Sequence, residues 1–300
     1  MKKSNTEKAA ATPPAPIKRF IYYRDAVNAV KRLRVSEDGV PYVVRFSRGQ
    51  RIEHLVLILS FTTLAVTGLS QSFYMNPAGN LVLTALGGIE SARVVHHMAA
   101  ILFIIQSVYH VAVFLDEIFV HRHISRMFPG LSDLTDAIQM VKFNIGLTKR
   151  HPLFDRYNFE EKAEYWALVW GTIAMGLTGL IQWFPAKLTS IFPAGWIIPV
   201  SRALHRWEAI LAVLAILTWH FYHSIIKTLN LSIFSGNMSV EQMEEEHPLE
   251  LAYLRQSAAA IRSKLWPVEI EIHIGHLLEE EPAVAVEEIE PEKNTEGSAS

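Results

Sequence analysis

Cysteine is absent from the 300-residue chain. That excludes disulfides, thiolate zinc sites, covalently attached c-type haem and iron–sulfur clusters held by this chain. Charge is also scarce: Asp, Glu, Lys and Arg make up 19% of the residues, low for a soluble domain. A formal net charge of −2 excludes a generally basic nucleic-acid binder. The first 50 residues are polar and hold no apolar core of a secretory signal, so the N-terminus is expected to stay in the cytoplasm. No internal repeat is evident. Any metal must sit on His, Met or carboxylate, and 13 histidines are present.

The charges that do occur are segregated. Residues 1–51 hold twelve Lys or Arg against four acids, and residues 279–300 hold eight Glu against one Lys. Between these ends lie four apolar runs, at 52–73, 94–115, 163–184 and 203–226. Each is long enough, at about 1.5 Å per residue, to cross a hydrocarbon core of about 30 Å. The pattern predicts an all-α integral membrane four-helix bundle. Loop charge predicts its orientation. Residues 76–92 contain no Lys or Arg and 185–201 only Lys187, whereas 116–162 carry Arg122, Arg126, Lys142, Lys149, Arg150, Arg156 and Lys162. By the positive-inside rule both termini and the 116–162 connection are cytoplasmic. Within that connection, residues 131–147 have the spacing of an amphipathic surface helix, with Ser132 and Asp133 as candidate caps. A second extramembrane helix is expected over 239–265, and the acidic tail beyond Pro282 is expected to be disordered.

Ionisable side chains inside spanning helices are costly and usually functional. Here they are mainly histidines in two depth layers. His96, His97 and His205 lie toward the outer face; His54, His110, His220 and His223 lie toward the inner face. Two layers of imidazole are what two stacked b-type haems require, each iron taking two axial ligands from different helices. Stacked ligands recur on one helix about every 14 residues, about 21 Å along the axis. His96 and His110 are 14 apart, His205 and His220 are 15 apart, and His205 and His223 are 18 apart. The last spacing is too long, so His220 is preferred to His223, while spacing leaves His54 and His110 both open as inner ligands. His121, His123, His151, His247, His273 and His276 fall outside the apolar runs and read as surface residues.

Several short segments, in order, carry a family resemblance: Arg45-Phe46 ahead of the His54 run ending in Val66-Thr67-Gly68; Arg93 through His96; Arg156-Tyr157-Asn158 leading to Lys162 and Trp166; Thr178-Gly179 with Trp183; Leu204-His205; His220-Phe221-Tyr222; and Gly236 followed by His247-Pro248. The chain resembles the cytochrome b (gamma) subunits of membrane-bound formate dehydrogenases, and the wider group with hydrogenase and thiosulfate-reductase cytochrome b subunits. The resemblance implies two haems b. The outer haem would be held by His96 and His205 and the inner by His54 and His220. His97, adjacent to His96, and His110 and His223 are the alternatives, and the latter two are candidates for propionate or quinone contacts. The 15-residue spacing on the fourth run exceeds the family's usual 14, which predicts a local bulge or tilt. Asn158 matches the family's quinone-site asparagine, with a helix cap as its competing role; Glu160 stands where the family has glycine. Arg51, Arg93, Arg202 and Arg206 lie at membrane edges and are candidates for propionate pairing.

The implied function is electron transfer between a partner oxidoreductase module and menaquinone or ubiquinone in a prokaryotic inner membrane. Such a chain is a subunit of a complex rather than an enzyme alone. Having no cysteine, it would rely on an outer-face partner for Fe–S clusters or c-type haems. The expected divisions are a basic cytoplasmic segment at 1–50, the di-haem bundle at 51–231, a cytoplasmic helical segment at 232–278 and the acidic tail at 279–300. The competing readings are a bc-type arrangement, with ligand pairs His96/His110 and His205/His220 on two helices, and a haem-free membrane anchor or transporter.

Overall fold

The computed structural model describes residues 17–21, 23–120, 126–191, 193–261 and 268–272. The acidic tail, His121, His123, His273 and His276 lie outside the described residues. In chain order the elements are β1 (Ile17–Ile21), α1 (Tyr23–Arg32), β2 (Leu33–Val35), β3 (Pro41–Val44), α2 (Arg48–Ser72), α3 (Pro77–Ala85), α4 (Ile89–Phe119), α5 (Leu131–Asn144), α6 (Phe159–Trp183), α7 (Pro185–Ile191), α8 (Ile197–Lys227), α9 (Ser232–Ser235), β4 (Asn237–Ser239), α10 (Val240–Glu246), α11 (Pro248–Ala260) and β5 (Val268–Ile272).

The helices α2, α4 and α8 are each long and apolar enough to cross a membrane, and α6 with α7 meets the same measure of length and apolarity as a pair bent by 98°. Their ends follow from local chemistry. Ser47 caps α2 in a reciprocal box with Gln50, and Asn158 caps α6 in the same way with Glu161. Residues such as Ile105, Val108, Leu211 and Leu217 remain exposed along the spans, as lipid-facing side chains do. What the spanning helices bury is small: Ser60, Thr67, Ser70, Ala92, Ala99, Thr178 and Ser201. The hydroxyls of Ser60, Thr67 and Thr178 donate to carbonyls of their own helices, and Ser201 Oγ donates across to the Thr178 carbonyl at 2.9 Å. Small residues let helix backbones approach where lipid provides no hydrophobic drive.

A second, extramembrane unit differs from the expected layout. Among the described residues, the stretches before and after the spans pack together. The strand β4 joins β2 and β3 in an antiparallel sheet, with Val43 opposite both Leu33 and Met238, and β1 pairs with β5. Ala29, Val43, Met238, Met243, Leu251 and Leu254 share one core. Strands of three to five residues are too short to show a period of two. The helix expected over 239–265 is two helices, because Pro248 has no N–H to donate and disfavours helical geometry at His247. Ser239 caps α10, accepting from Gln242 N at 3.1 Å. His247, read as a surface residue, is instead buried at the break. Burial, with Arg45 nearby, lowers its pKa to about 4, so the ring is neutral and its Nδ1–H donates to the Asp155 carbonyl at 2.7 Å. The amphipathic helix expected over 131–147 appears as α5 and stops just before Gly146, which adopts φ +76°.

Glu250, fully buried on α11, fastens this unit together. Its carboxylate accepts from Arg32 at 2.5 Å and from Arg126, with Arg156 at 3.8 Å. Burial, with Arg156 next to it, lowers the Arg32 pKa to about 10. Removing one partner of a buried charge network leaves the others uncompensated, at a cost of about 3–5 kcal/mol. The Glu250→Gln variant is therefore expected to lose protease resistance in the extramembrane unit, while the bundle keeps its helical circular dichroism. Wild-type resistance in that variant would show that the network contributes nothing to stability.

Candidate functional site

The histidines of the spans sort by what their rings face. His96 on α4 and His205 on α8 stand with ring centroids 6.4 Å apart. At the other end of the bundle, His54 on α2 and His220 on α8 are also 6.4 Å apart. A first-row metal–imidazole bond is about 2 Å, so two bonds in line plus two ring half-widths give a centroid separation of about 6 Å. Each pair is thus spaced to take one iron between two imidazole nitrogens. Among the described residues no group of three or more His, Asp or Glu is placed to hold a metal alone. A pair of axial ligands suits a metal whose equatorial positions a macrocycle already fills.

Hydrogen bonds select the nitrogen that remains free. Thr67 donates its hydroxyl proton to the Thr63 carbonyl at 2.6 Å, so its oxygen accepts from His96 Nδ1–H at 2.9 Å. Thr178 donates to the Ala174 carbonyl at 2.7 Å and accepts from His205 Nδ1–H at 2.9 Å. The Nδ1 of His220 meets the Glu164 carboxylate at 2.6 Å. In all three rings Nδ1 is committed, which leaves Nε2 to bind metal; such supporting partners fix tautomer and ring orientation. Glycines make the approach possible. A Cβ on Gly68 would lie 3.0 Å from His96 Cε1, and one on Gly179 would lie 3.3 Å from His205 Cε1.

These partners reveal a repeat missed in the sequence. Thr67-Gly68-Leu69-Ser70-Gln71 and Thr178-Gly179-Leu180-Ile181-Gln182 share a Thr-Gly-Leu-x-Gln pattern. In both copies the Gln amide donates to the Thr carbonyl, at 3.1 and 3.2 Å. The helix pairs α2/α4 and α6/α8 therefore present equivalent Thr–His units to the same site, between His96 and His205. The signal was legible, but only five residues long.

The alternative histidines are engaged elsewhere. His97 stacks on Trp183 with centroids 4.1 Å apart. The two nitrogens of His110 contact Glu53 Oε2 at 2.8 Å and Tyr165 Oη at 3.1 Å. His223 donates through Nδ1 to the Trp219 carbonyl at 2.9 Å, with Nε2 3.6 Å from Glu160. The 15-residue spacing between His205 and His220 is accommodated by a π-helical turn at Ile216–His220, and a second π turn follows at Tyr222–Lys227. Such a turn absorbs an extra residue and so rotates His220 back toward the His205 side of α8. Asn158 Oδ1 accepts from Glu161 N at 2.7 Å as the α6 cap, leaving its amide NH2 as the group available to a ligand. Of the edge arginines, Arg93 pairs with Glu90 at 2.8 Å and Arg206 lies over the Phe73 ring.

The profile of the family described as prokaryotic cytochrome b561 matches residues 18–130 and 133–235, which include every one of these span histidines. The chain belongs to that family. It is accordingly a membrane cytochrome that binds haem b, in keeping with its apolar spans and paired imidazoles. Among curated proteins it is similar to the formate dehydrogenase cytochrome b556(fdo) subunits of Escherichia coli K12 and Escherichia coli O157:H7. Each is 24% identical over 217 residues, an alignment covering 69% of this chain and 90% of the relative.

Proposed function

We propose that this cytochrome b561-type chain is a di-haem subunit that transfers electrons between a partner oxidoreductase module and membrane quinone. The observation that carries the reading is the pair of facing imidazole couples, His96 with His205 and His54 with His220, each at 6.4 Å. When bound, haem b supplies a one-electron redox centre; the chain supplies axial nitrogens, their orienting partners and an apolar surround. The donor set fits one haem in each layer. About 22 Å of α8 separates its two ligands, enough for two macrocycles within one bilayer. The similar proteins are cytochrome subunits of formate dehydrogenase, which supports a redox partner subunit; that partner would sit at the outer face and bear Fe–S clusters or c-type haems. The family match supports a prokaryotic inner membrane, and loop charge supports both termini and the 116–162 connection on its cytoplasmic side. A reduced-minus-oxidised spectrum with haem quantification tests this: the expected result is a b-type alpha band and two haems per chain. One haem or none would reject it. The bc-type alternative is disfavoured because His110 faces a carboxylate and a tyrosine rather than a second imidazole.

Quinone, whether menaquinone or ubiquinone, would bind beside the inner pair, where the Asn158 amide NH2 donates to a carbonyl oxygen. Two variants separate this role from capping. Asn158→Asp keeps the cap acceptor and removes the donor, and is expected to slow quinol turnover about tenfold with haem content intact. Asn158→Ala loses both roles, adding about 1 kcal/mol of helix destabilisation. Wild-type quinol kinetics in Asn158→Asp would leave Asn158 as a cap alone. The divisions proposed are a basic cytoplasmic segment at 1–50, the di-haem bundle at 51–231, a cytoplasmic segment at 232–278 and the acidic tail at 279–300.

A further inference from the structure

We propose that the cleft at the start of α2 binds the phosphate of an anionic phospholipid. The cleft, about 290 Å³ in volume, is lined by Arg48, Arg51, Ile52, Leu55, Ile233 and Phe234. It lies where α2 emerges from the extramembrane unit and begins its span, the level of a lipid headgroup. Its chemistry is divided in the same sense as a phospholipid. Two guanidinium groups, three residues apart on one helical face, supply positive charge. Ile52, Leu55 and Phe234, all exposed, supply an apolar wall for an acyl chain.

Among the described residues the two arginines have no counter-charge of their own. No carboxylate lines the cleft, and neither Arg48 nor Arg51 forms an ion pair among the described residues. Arg51 Nε is buried and has no hydrogen-bond partner among the described residues. A buried donor without an acceptor carries a desolvation cost, so it marks a position where an acceptor belongs. The backbone is shaped around this side chain. Gly236 adopts φ +85°, and a Cβ there would lie 3.3 Å from both Arg51 Cδ and Arg51 Nη1. Its carbonyl also accepts from Arg45 N at 2.8 Å and Phe46 N at 3.1 Å, so the turn that admits Arg51 is the one that joins the sheet unit to the bundle. Lipid bound here would bridge the two units. Basic pockets at the edges of spanning helices select anionic headgroups by this chemistry. This site does not depend on the quinone reading.

The test uses the purified haem-loaded protein in detergent, titrated with phosphatidylglycerol, phosphatidylcholine or inorganic phosphate, with thermal unfolding and native mass spectrometry as readouts. Phosphatidylglycerol is expected to raise Tm saturably and to give retained adducts; phosphatidylcholine and inorganic phosphate are expected to do neither. Each arginine is expected to contribute about fivefold in affinity, so R48Q/R51Q should bind phosphatidylglycerol about 25-fold more weakly while keeping the wild-type haem count. The single variant R48Q, expected to lose about fivefold, serves if the double variant does not fold. Equal shifts with phosphatidylcholine, a shift reproduced by inorganic phosphate, an unchanged phosphatidylglycerol response in the variants, or loss of haem in R51Q would each overturn the proposal. The last would make Arg51 a propionate partner.

Discussion

Replacing His205 with alanine is expected to lower haem content from two per chain to one and to remove the outer centre alone. The reason lies in how the outer pair is built. His205 faces His96 at 6.4 Å, and Thr178 holds its Nδ1 at 2.9 Å. No other imidazole on α8 can substitute, because His220 is about 22 Å away along the helix and is held by Glu164. Alanine leaves His96 with one axial bond to offer and no partner across the cleft. The inner pair, with ligands and supports at the far end of the bundle, is expected to keep its spectrum and potential. Haem extraction and redox titration of the variant read both quantities. Two haems per chain in His205→Ala would remove His205 from the ligand set.

The second large effect concerns the inner layer, where His54→Ala is expected to lose its haem and His110→Ala to retain both. His54 faces His220 across 6.4 Å, with Phe234 edge-on to its ring. His110, by contrast, uses both nitrogens in contacts with Glu53 and Tyr165, leaving no lone pair free for iron. Its removal strands a carboxylate and a phenol, a loss of about 1–3 kcal/mol, without touching either imidazole pair. A lower Tm with two haems is thus the expected signature of His110→Ala, and one remaining haem that of His54→Ala. The opposite pattern, with the inner haem lost from His110→Ala and kept in His54→Ala, would restore the bc-type alternative.

Much of the bundle was legible because a membrane imposes a strong rule. Four apolar runs around two nearly uncharged loops and one basic loop predict four spans, and the helices lie there. The histidine layers were legible for the same reason, since an imidazole in an apolar run is conspicuous. Choosing within a layer was harder. His96 and His97 differ only by about 100° around one helix, and which of those directions meets His205 rather than Trp183 depends on helix rotation.

Sequence by itself determined that this protein is a mostly helical membrane chain, that no thiolate is present to hold a metal, and that histidines fall at two depths of the apolar runs. Tertiary structure alone decided which imidazoles face one another, because that depends on the crossing of α2, α4 and α8 and on the π turn at Ile216–His220. It also decided that Thr67 and Thr178 orient the outer pair, and that segments 200 residues apart complete one small sheet beside the membrane. Hydropathy is a local property that survives in a linear string. Facing, register and the pairing of short strands are relations between distant residues, and they exist only once the chain has packed.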